Sequence, residues 1–306
     1  MNLSIIIPKE HSFNPAFTFE CGQVFRWNRL WKKRWEGIVA GSLVRVDEDS
    51  ISVIADSENR SRKETEDVIW NYFSLSDDFR KVSSTFPSDE YLRAALQEYP
   101  GLRLLAQDPW ECLISFVCSI NSNIPSIRLK IENLCSRFGK KINRTSRAFP
   151  PPKSLAFSRE SDLLECKVGF RWKYIKQISQ VVVEGRLDLE GLRKLRYNRA
   201  LKELVSESSG KTFGVGPKVA DCVLLFSLGK FEAFPIDVWM LRCINDHYPD
   251  IIQGILKSGS SQITPAKYYA TGDRMREYFG EFAGYAQQYL YMKTRSDGLT
   301  RGKERA

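Results

Sequence analysis

From the first residues to about residue 60, apolar positions fall in short runs: LSIIIP, FTFECG, QVFRWN, EGIVA, SLVRV and ISVIA. These runs are rich in β-branched and aromatic side chains, and turn signals such as Ala40-Gly41 and Asp47-Glu48-Asp49-Ser50 separate them. That combination predicts an antiparallel sheet. From about Thr65 the period lengthens to that of a helix, through Val68, Ile69, Tyr72 and Phe73, and again from Ser88 through Leu92 and Leu96. Asp108-Pro109 supplies an N-cap and a first-turn proline for a helix through Leu113, Phe116 and Val117. Further helices are expected from about Pro125 to Phe138, from about Val168 to Glu184, in two short patterns over 188–207, and over 264–293. The polar tail from Arg295 is expected to be mobile. The fold class is therefore α+β, with an N-terminal antiparallel sheet domain and flanking helices over 1–90 and a helical region over 91–306.

The stretch TFGVGPKVADCVLLFSLGKFEAFPID, Thr212 to Asp237, stands apart from this pattern. Gly216-Pro217 is a helix start, because proline at the first position lacks only an N–H that would be orphaned anyway. The helix that follows, 217–229, is apolar nearly all round, with Lys218 and Asp221 as its main polar exceptions. An i,i+3 ion pair with Asp221, or an ammonium snorkelling to water, would explain the lysine without any chemistry. A nucleophilic amine would explain it too, since burial and the positive end of a helix favour the neutral form. The helix travels roughly 18 Å, and the next eight residues, if extended, span about 26 Å. Asp237 can therefore return to the end that carries Lys218, even if it also caps the helix that follows.

Composition narrows the partner. The chain has 306 residues, a net charge of +9 and a pI near 9.1, which suit an anionic partner such as nucleic acid. No stretch has the length of a membrane span, and no signal-peptide pattern opens the chain, so an intracellular protein is expected. Seven scattered cysteines without a C-x-x-C argue against a zinc or iron–sulfur site and suit buried thiols in a reducing compartment.

The segments Gly214-Val215-Gly216-Pro217-Lys218-Val219-Ala220-Asp221-Cys222 and Pro235-Ile236-Asp237-Val238 resemble the core of the helix-hairpin-helix (HhH-GPD) DNA glycosylases, specifically the 8-oxoguanine DNA glycosylases. Cys21-Gly22-Gln23-Val24-Phe25-Arg26-Trp27 and Gln107-Asp108-Pro109-Trp110-Glu111-Cys112 resemble further segments of that family. The resemblance implies a two-lobed helical core after the sheet, with its hairpin at 205–218. It also implies that hairpin amides at Gly214 and Gly216 approach DNA phosphate, that Lys218 attacks C1′ of the damaged nucleotide, and that Asp237 supports the cationic sugar. The Gly22 carbonyl would accept the N7–H that oxidised guanine has and guanine lacks; a plain turn glycine is the alternative. Gln287 would read the Watson–Crick edge of the base, with Tyr291 stacking on one face of the ring and Cys222 lining the other. Ordinary helix packing is the alternative for Tyr291.

On the DNA side, Asn121 would enter the gap left by the flipped base, Phe170 would wedge into the duplex, and Arg171 would contact the opposite base. A helix C-cap for Asn121 and helix packing for Phe170 are the alternatives. Ser126 stands where the family has an arginine on the widowed cytosine, which implies weaker selection for cytosine. Trp239 stands where the family often has a histidine that seats phosphate, and Phe213 where a proline is common. The resemblance further implies a cation on the hairpin carbonyls, no metal or organic cofactor in the chemistry, and a monomer. The expected activity is that of a bifunctional glycosylase and apurinic-site lyase acting on double-stranded DNA that contains 8-oxoguanine. Two alternatives are a hairpin glycosylase for an alkylated or mismatched base, and a non-catalytic DNA-binding protein with the same fold.

Overall fold

A computed structural model describes residues 3–7, 12–31, 33–47, 50–56, 58, 60–210, 214–257 and 259–304, leaving aside the side chains of 206–210 and 300–304. Five strands, β1 (Leu3–Ile6), β2 (Trp27–Trp31), β3 (Arg34–Val39), β4 (Ser42–Val46) and β5 (Ser50–Asp56), form one antiparallel sheet in the order β1-β5-β4-β3-β2. Its register sets Leu3 opposite Val53 and Trp27 opposite Gly37. Gly37 leaves room for the indole, since a Cβ there would lie 2.5 Å from the Trp27 ring. Trp27 is fully buried, stacks on Phe19 with centroids 4.1 Å apart and donates to the Tyr72 hydroxyl at 2.9 Å.

One expected strand is absent. FTFE belongs to helix α1 (Pro15–Glu20), where Asn14 accepts from the Phe17 N–H at 3.2 Å and Pro15 opens the first turn. An asparagine N-cap followed by proline outweighs the alternation of aromatic and polar residues. QVFRWN joins the sheet only from Trp27 onward.

The helices that follow are α2 (Arg62–Tyr72), α3 (Phe79–Ser84), α4 (Glu90–Glu98), α5 (Pro109–Cys118), α6 (Ile124–Phe138), α7 (Pro152–Ala156), α8 (Glu160–Glu165), α9 (Trp172–Val183), α10 (Tyr197–Gly210), α11 (Pro217–Leu228), α12 (Val238–His247), α13 (Pro265–Phe279) and α14 (Ala283–Glu304). Their apolar faces build two cores. One gathers α5, α6 and α9 to α11; the other gathers α4 and α12 to α14. The chain crosses between them over 229–237, so Lys218 and Asp237 stand on opposite sides of the seam. Gly229, at φ +67°, ends α11 in the left-handed conformation that favours glycine.

Where a mobile tail is expected from Arg295, the chain continues as helix α14 to Glu304. At the start of that stretch Lys293 pairs with Glu98 at 2.8 Å, and Arg295 donates to the Glu20 carbonyl at 3.0 Å. The sheet is joined to the helices through Gln23, fully buried, whose amide donates to the carbonyls of Thr18 and Arg103 and accepts from the Leu105 N–H. Among the described residues no helix is long and apolar enough to cross a membrane.

Candidate active site

Lys218 occupies the second position of α11, where the first-turn N–H groups have no helical partner and the helix end is positive. Its ammonium lies 3.5 Å from the Ser119 hydroxyl and 4.9 Å above the Phe116 ring. Among the described residues no carboxylate comes within 4.0 Å of it. The ion pair with Asp221 that would explain the lysine is not formed. Asp221, fully buried, instead accepts hydrogen bonds from the Tyr197 and Tyr268 hydroxyls, each at 2.7 Å. Burial pushes its carboxyl up, and the two hydroxyls and the Arg276 charge oppose that shift.

Asp237 is the N-cap of α12. One carboxylate oxygen accepts from the N–H groups of Trp239 and Met240, both at 2.9 Å. The other makes no hydrogen bond among the described residues, so capping leaves half of the carboxylate for other work.

A cavity of about 820 Å³ lies between the two lobes, and Lys218, Asp237, Gly22, Cys222, Gln287 and Tyr291 all line it. Gly22 has φ +80°, and a Cβ on it would lie 3.1 Å from the Tyr291 hydroxyl oxygen. Only glycine lets this backbone and that ring approach so closely. Gln288 fixes the same segment from α14 by donating to the Cys21 carbonyl at 2.7 Å. Gln287, buried, donates its amide N–H to the Pro235 carbonyl at 3.0 Å, while its side-chain oxygen has no partner among the described residues. Such an orphaned acceptor costs about 1–3 kcal/mol, a cost that a ligand N–H would relieve. Burial holds the Cys222 thiol up at about 12, against the pull of the Lys218 charge, so it presents a neutral, polarisable wall. Burial likewise raises the Tyr291 phenol, with Asp237 reinforcing the shift.

Residues 4–113 match the family model for the 8-oxoguanine DNA glycosylase N-terminal domain. The fold is similar to that of the Clostridium acetobutylicum 8-oxoguanine glycosylase/lyase, solved with double-stranded DNA bearing cytosine opposite 8-oxoguanine. The TM-score is 0.81 and the identity 32%, over 94% of this chain and 93% of that one. It is 29% identical to the N-glycosylase/DNA lyase OGG1 of Arabidopsis thaliana over 290 residues, 90% of this chain and 75% of that protein. A probable N-glycosylase/DNA lyase of Methanothermobacter thermautotrophicus is 35% identical over 238 residues, 70% of this chain and 70% of that protein. The chain belongs to the 8-oxoguanine DNA glycosylase family.

Several residues of this family member that are expected to face DNA ring the cavity mouth. Asn121, Gly214, Gly216 and Trp239 line it. Asn121 is exposed at φ +48° beyond α5, whose C-cap is Ser119, so it does not cap that helix. Gly214 (φ +94°) is required as glycine, since a Cβ would lie 2.7 Å from the Tyr174 ring. Gly216 is exposed at φ −83°, with open space where a Cβ would stand, so neither backbone conformation nor packing among the described residues requires glycine there. Phe170 is 50% exposed, meets the edge of Tyr174 at 5.9 Å and lies 4.4 Å beneath the Arg171 guanidinium, so half of its ring is left open to solvent. The Trp239 ring fills the space over Gly298, where a Cβ would lie 2.4 Å from it, and Arg242 stacks 4.8 Å above.

Arg171 differs from expectation. It is 5% exposed, and its guanidinium donates to the Ile120, Asn121 and Val168 carbonyls and to the Ser122 hydroxyl. The turn between α5 and α6 leaves the Ile120 and Asn121 carbonyls without helical partners, and Arg171 satisfies them, so it shapes the Asn121 loop from behind instead of facing outward. Ser126 is engaged by Lys130, whose ammonium lies 2.6 Å from its hydroxyl and 2.8 Å from that of Ser122. Lys211 and Phe213 of the hairpin, with the carbonyls expected to hold a cation there, lie outside the described residues. Gln23, Gln288, Tyr197 and Tyr268 were not anticipated. Gln288, beside Gln287, had a visible signal; the tyrosines had none.

Proposed function

We propose that this protein excises 8-oxoguanine from double-stranded DNA and then cleaves the strand at the resulting site. The observation that carries the reading is one cavity lined both by an amine and a carboxylate suited to the sugar and by a glycine carbonyl, a half-satisfied glutamine, a thiol and a phenol suited to a flipped base. Basic surface and hairpin amides hold the phosphates, so affinity falls as salt rises. The damaged nucleotide leaves the stack, because its C1′ cannot be reached inside the duplex. The Lys218 amine forms a bond to C1′ as the bond from C1′ to the base breaks, and the base departs with that electron pair and takes up a proton. Asp237 stabilises the cationic sugar electrostatically. Loss of the Lys218 proton and ring opening give a Schiff base, and β-elimination then expels the 3′ phosphate and nicks the strand.

Gly22 supports selection of the oxidised base through its carbonyl, Gln287 through its free oxygen, and Tyr291 and Cys222 through the two faces of the ring. Asn121 and Phe170 occupy the space left behind, and Ser126 in place of an arginine makes selection for opposite cytosine weaker. The enzyme acts as a monomer inside the cell, a setting that its seven free, buried cysteines suit.

The test is a panel of duplexes carrying single 8-oxoguanine, alkylated or mismatched bases, scored for base release with and without alkaline cleavage. Release confined to 8-oxoguanine is expected, and none from that duplex would sink the reading. Lys218→Gln is expected to abolish the borohydride-trapped adduct while retaining duplex binding. Persistent trapping would remove Lys218 from the nucleophile's role.

A further inference from the structure

Lys218 and Asp237 do not touch, and they belong to different lobes, so their relative placement is set by what lies behind them. Two chains of hydrogen bonds converge there on the buried carboxylate of Asp221, three residues along α11 from Lys218. In one, Arg276 donates to the Tyr197 hydroxyl at 2.8 Å, and Tyr197 donates to one Asp221 oxygen at 2.7 Å. In the other, the Ile236 N–H donates to the Tyr268 hydroxyl at 3.2 Å, and Tyr268 donates to the other oxygen at 2.7 Å. An ionised Asp221 fixes the direction of both chains, because it can only accept.

The two chains end in different places. The Tyr197 chain ends on a side chain of α13. The Tyr268 chain ends on the residue between Pro235, whose carbonyl seats Gln287 at 3.0 Å, and Asp237, the cap of α12. A single hydroxyl thus ties the lysine's helix to a three-residue segment that carries the carboxylate and the seat of the base reader. Ile236 and Tyr268 are 3% and 5% exposed, so water does not readily replace the link.

We propose that Tyr268 is a positioning residue, acting through the Ile236 amide to hold Asp237 and the Pro235 carbonyl in register with Lys218. The inference rests on the function proposed above and adds to it a residue that lines the same cavity and acts, in this role, through the Ile236 amide.

Tyr268→Phe keeps the ring and removes the link, and Tyr197→Phe removes the other hydroxyl from the same carboxylate while leaving the loop tied. Each is compared with wild type for melting temperature, duplex affinity, single-turnover release of 8-oxoguanine and borohydride trapping on a preformed abasic site. For Tyr268→Phe, base release is expected to fall about ten- to a hundredfold, with affinity within about twofold and trapping within about threefold of wild type. Tyr197→Phe is expected to keep base release within about twofold. Base release by Tyr268→Phe at the wild-type rate overturns the inference, as does an equal loss in both variants, which would mean that the network only supports the fold. Wild type that releases no 8-oxoguanine overturns the underlying reading instead. Should Tyr268→Phe not fold, Asp221→Asn tests the link from its other end. The same split between release and affinity supports the inference, and wild-type release overturns it.

Discussion

Adding one methyl group at Gly22 tests base recognition apart from sugar chemistry. In Gly22→Ala the new Cβ lies 3.1 Å from the Tyr291 hydroxyl oxygen and 3.3 Å from the adjacent ring carbon, on a backbone at φ +80°. An L-residue in the left-handed region costs about 1–2 kcal/mol. With an unfolding entropy of about 2.1 cal/mol/K per residue, that lowers the melting temperature of a chain this long by only about 2–3 °C. The functional effect is larger, because the strain has two exits and both damage the pocket. Either the Tyr291 ring yields and shifts its stacking face, or the backbone rotates and carries the Gly22 carbonyl off its line. Losing one hydrogen bond costs about 0.5–1.5 kcal/mol, and misplacement adds to it, so release of 8-oxoguanine is expected to fall about ten- to a hundredfold. An abasic site has no base to read. Borohydride trapping on abasic duplex, measured beside single-turnover base release, is therefore expected to stay near wild type. Unchanged base release would refute the assignment of Gly22 to recognition, and a parallel loss of trapping would show that the methyl disturbs the reacting centre as a whole.

Asp237→Asn separates capping from catalysis, because asparagine caps a helix as well as aspartate does. Its melting temperature is expected to stay within about 2 °C of wild type while base release falls about 10²- to 10³-fold; a large loss of melting temperature would mark the carboxylate as structural. Cys222, with its thiol pushed up to about 12 by burial, stays protonated at pH 8, so iodoacetamide at that pH is expected to leave base release intact. Rapid inactivation that follows carbamidomethylation of Cys222 would show the thiol to be far more acidic than its burial implies.

Local chemistry was the part of the fold readable from sequence. Asp108-Pro109 opens α5, Gly216-Pro217 opens α11, and the apolar run Val219–Leu228 is buried throughout, each because a signal and its effect lie within one or two turns. FTFE misled because its alternation imitates a strand, although Asn14-Pro15 just before it carried the contrary signal. Gly298 sits inside α14 as clearance for the Trp239 ring, a use that no local rule anticipates. In the site, Lys218 and Asp237 were legible because one is anomalous on its helix and the other lies within reach along the chain. Arg171 was not, since the Ile120 and Asn121 carbonyls that hold it are some fifty residues away. Tyr197 and Tyr268 were hidden for the same reason, 24 and 47 residues from the Asp221 they serve.

Gln23 welds the segment bearing Gly22 to the helical region, and α14 holds that segment from the other side through Gln288. The cavity is thereby drawn from both parts of the gene. Residues after 91 supply the amine, the carboxylate and the Cys222, Gln287 and Tyr291 walls of the cavity, whereas the Gly22 carbonyl, proposed to mark the oxidised base, comes from the N-terminal part. On the proposed function, a lineage that lost or remodelled the sheet would keep the means of opening the sugar and most walls of the base pocket, and lose the one carbonyl assigned to the oxidised base. Selectivity in this architecture is an attachment to the reactor, and the seam at Gln23 is where the attachment is made.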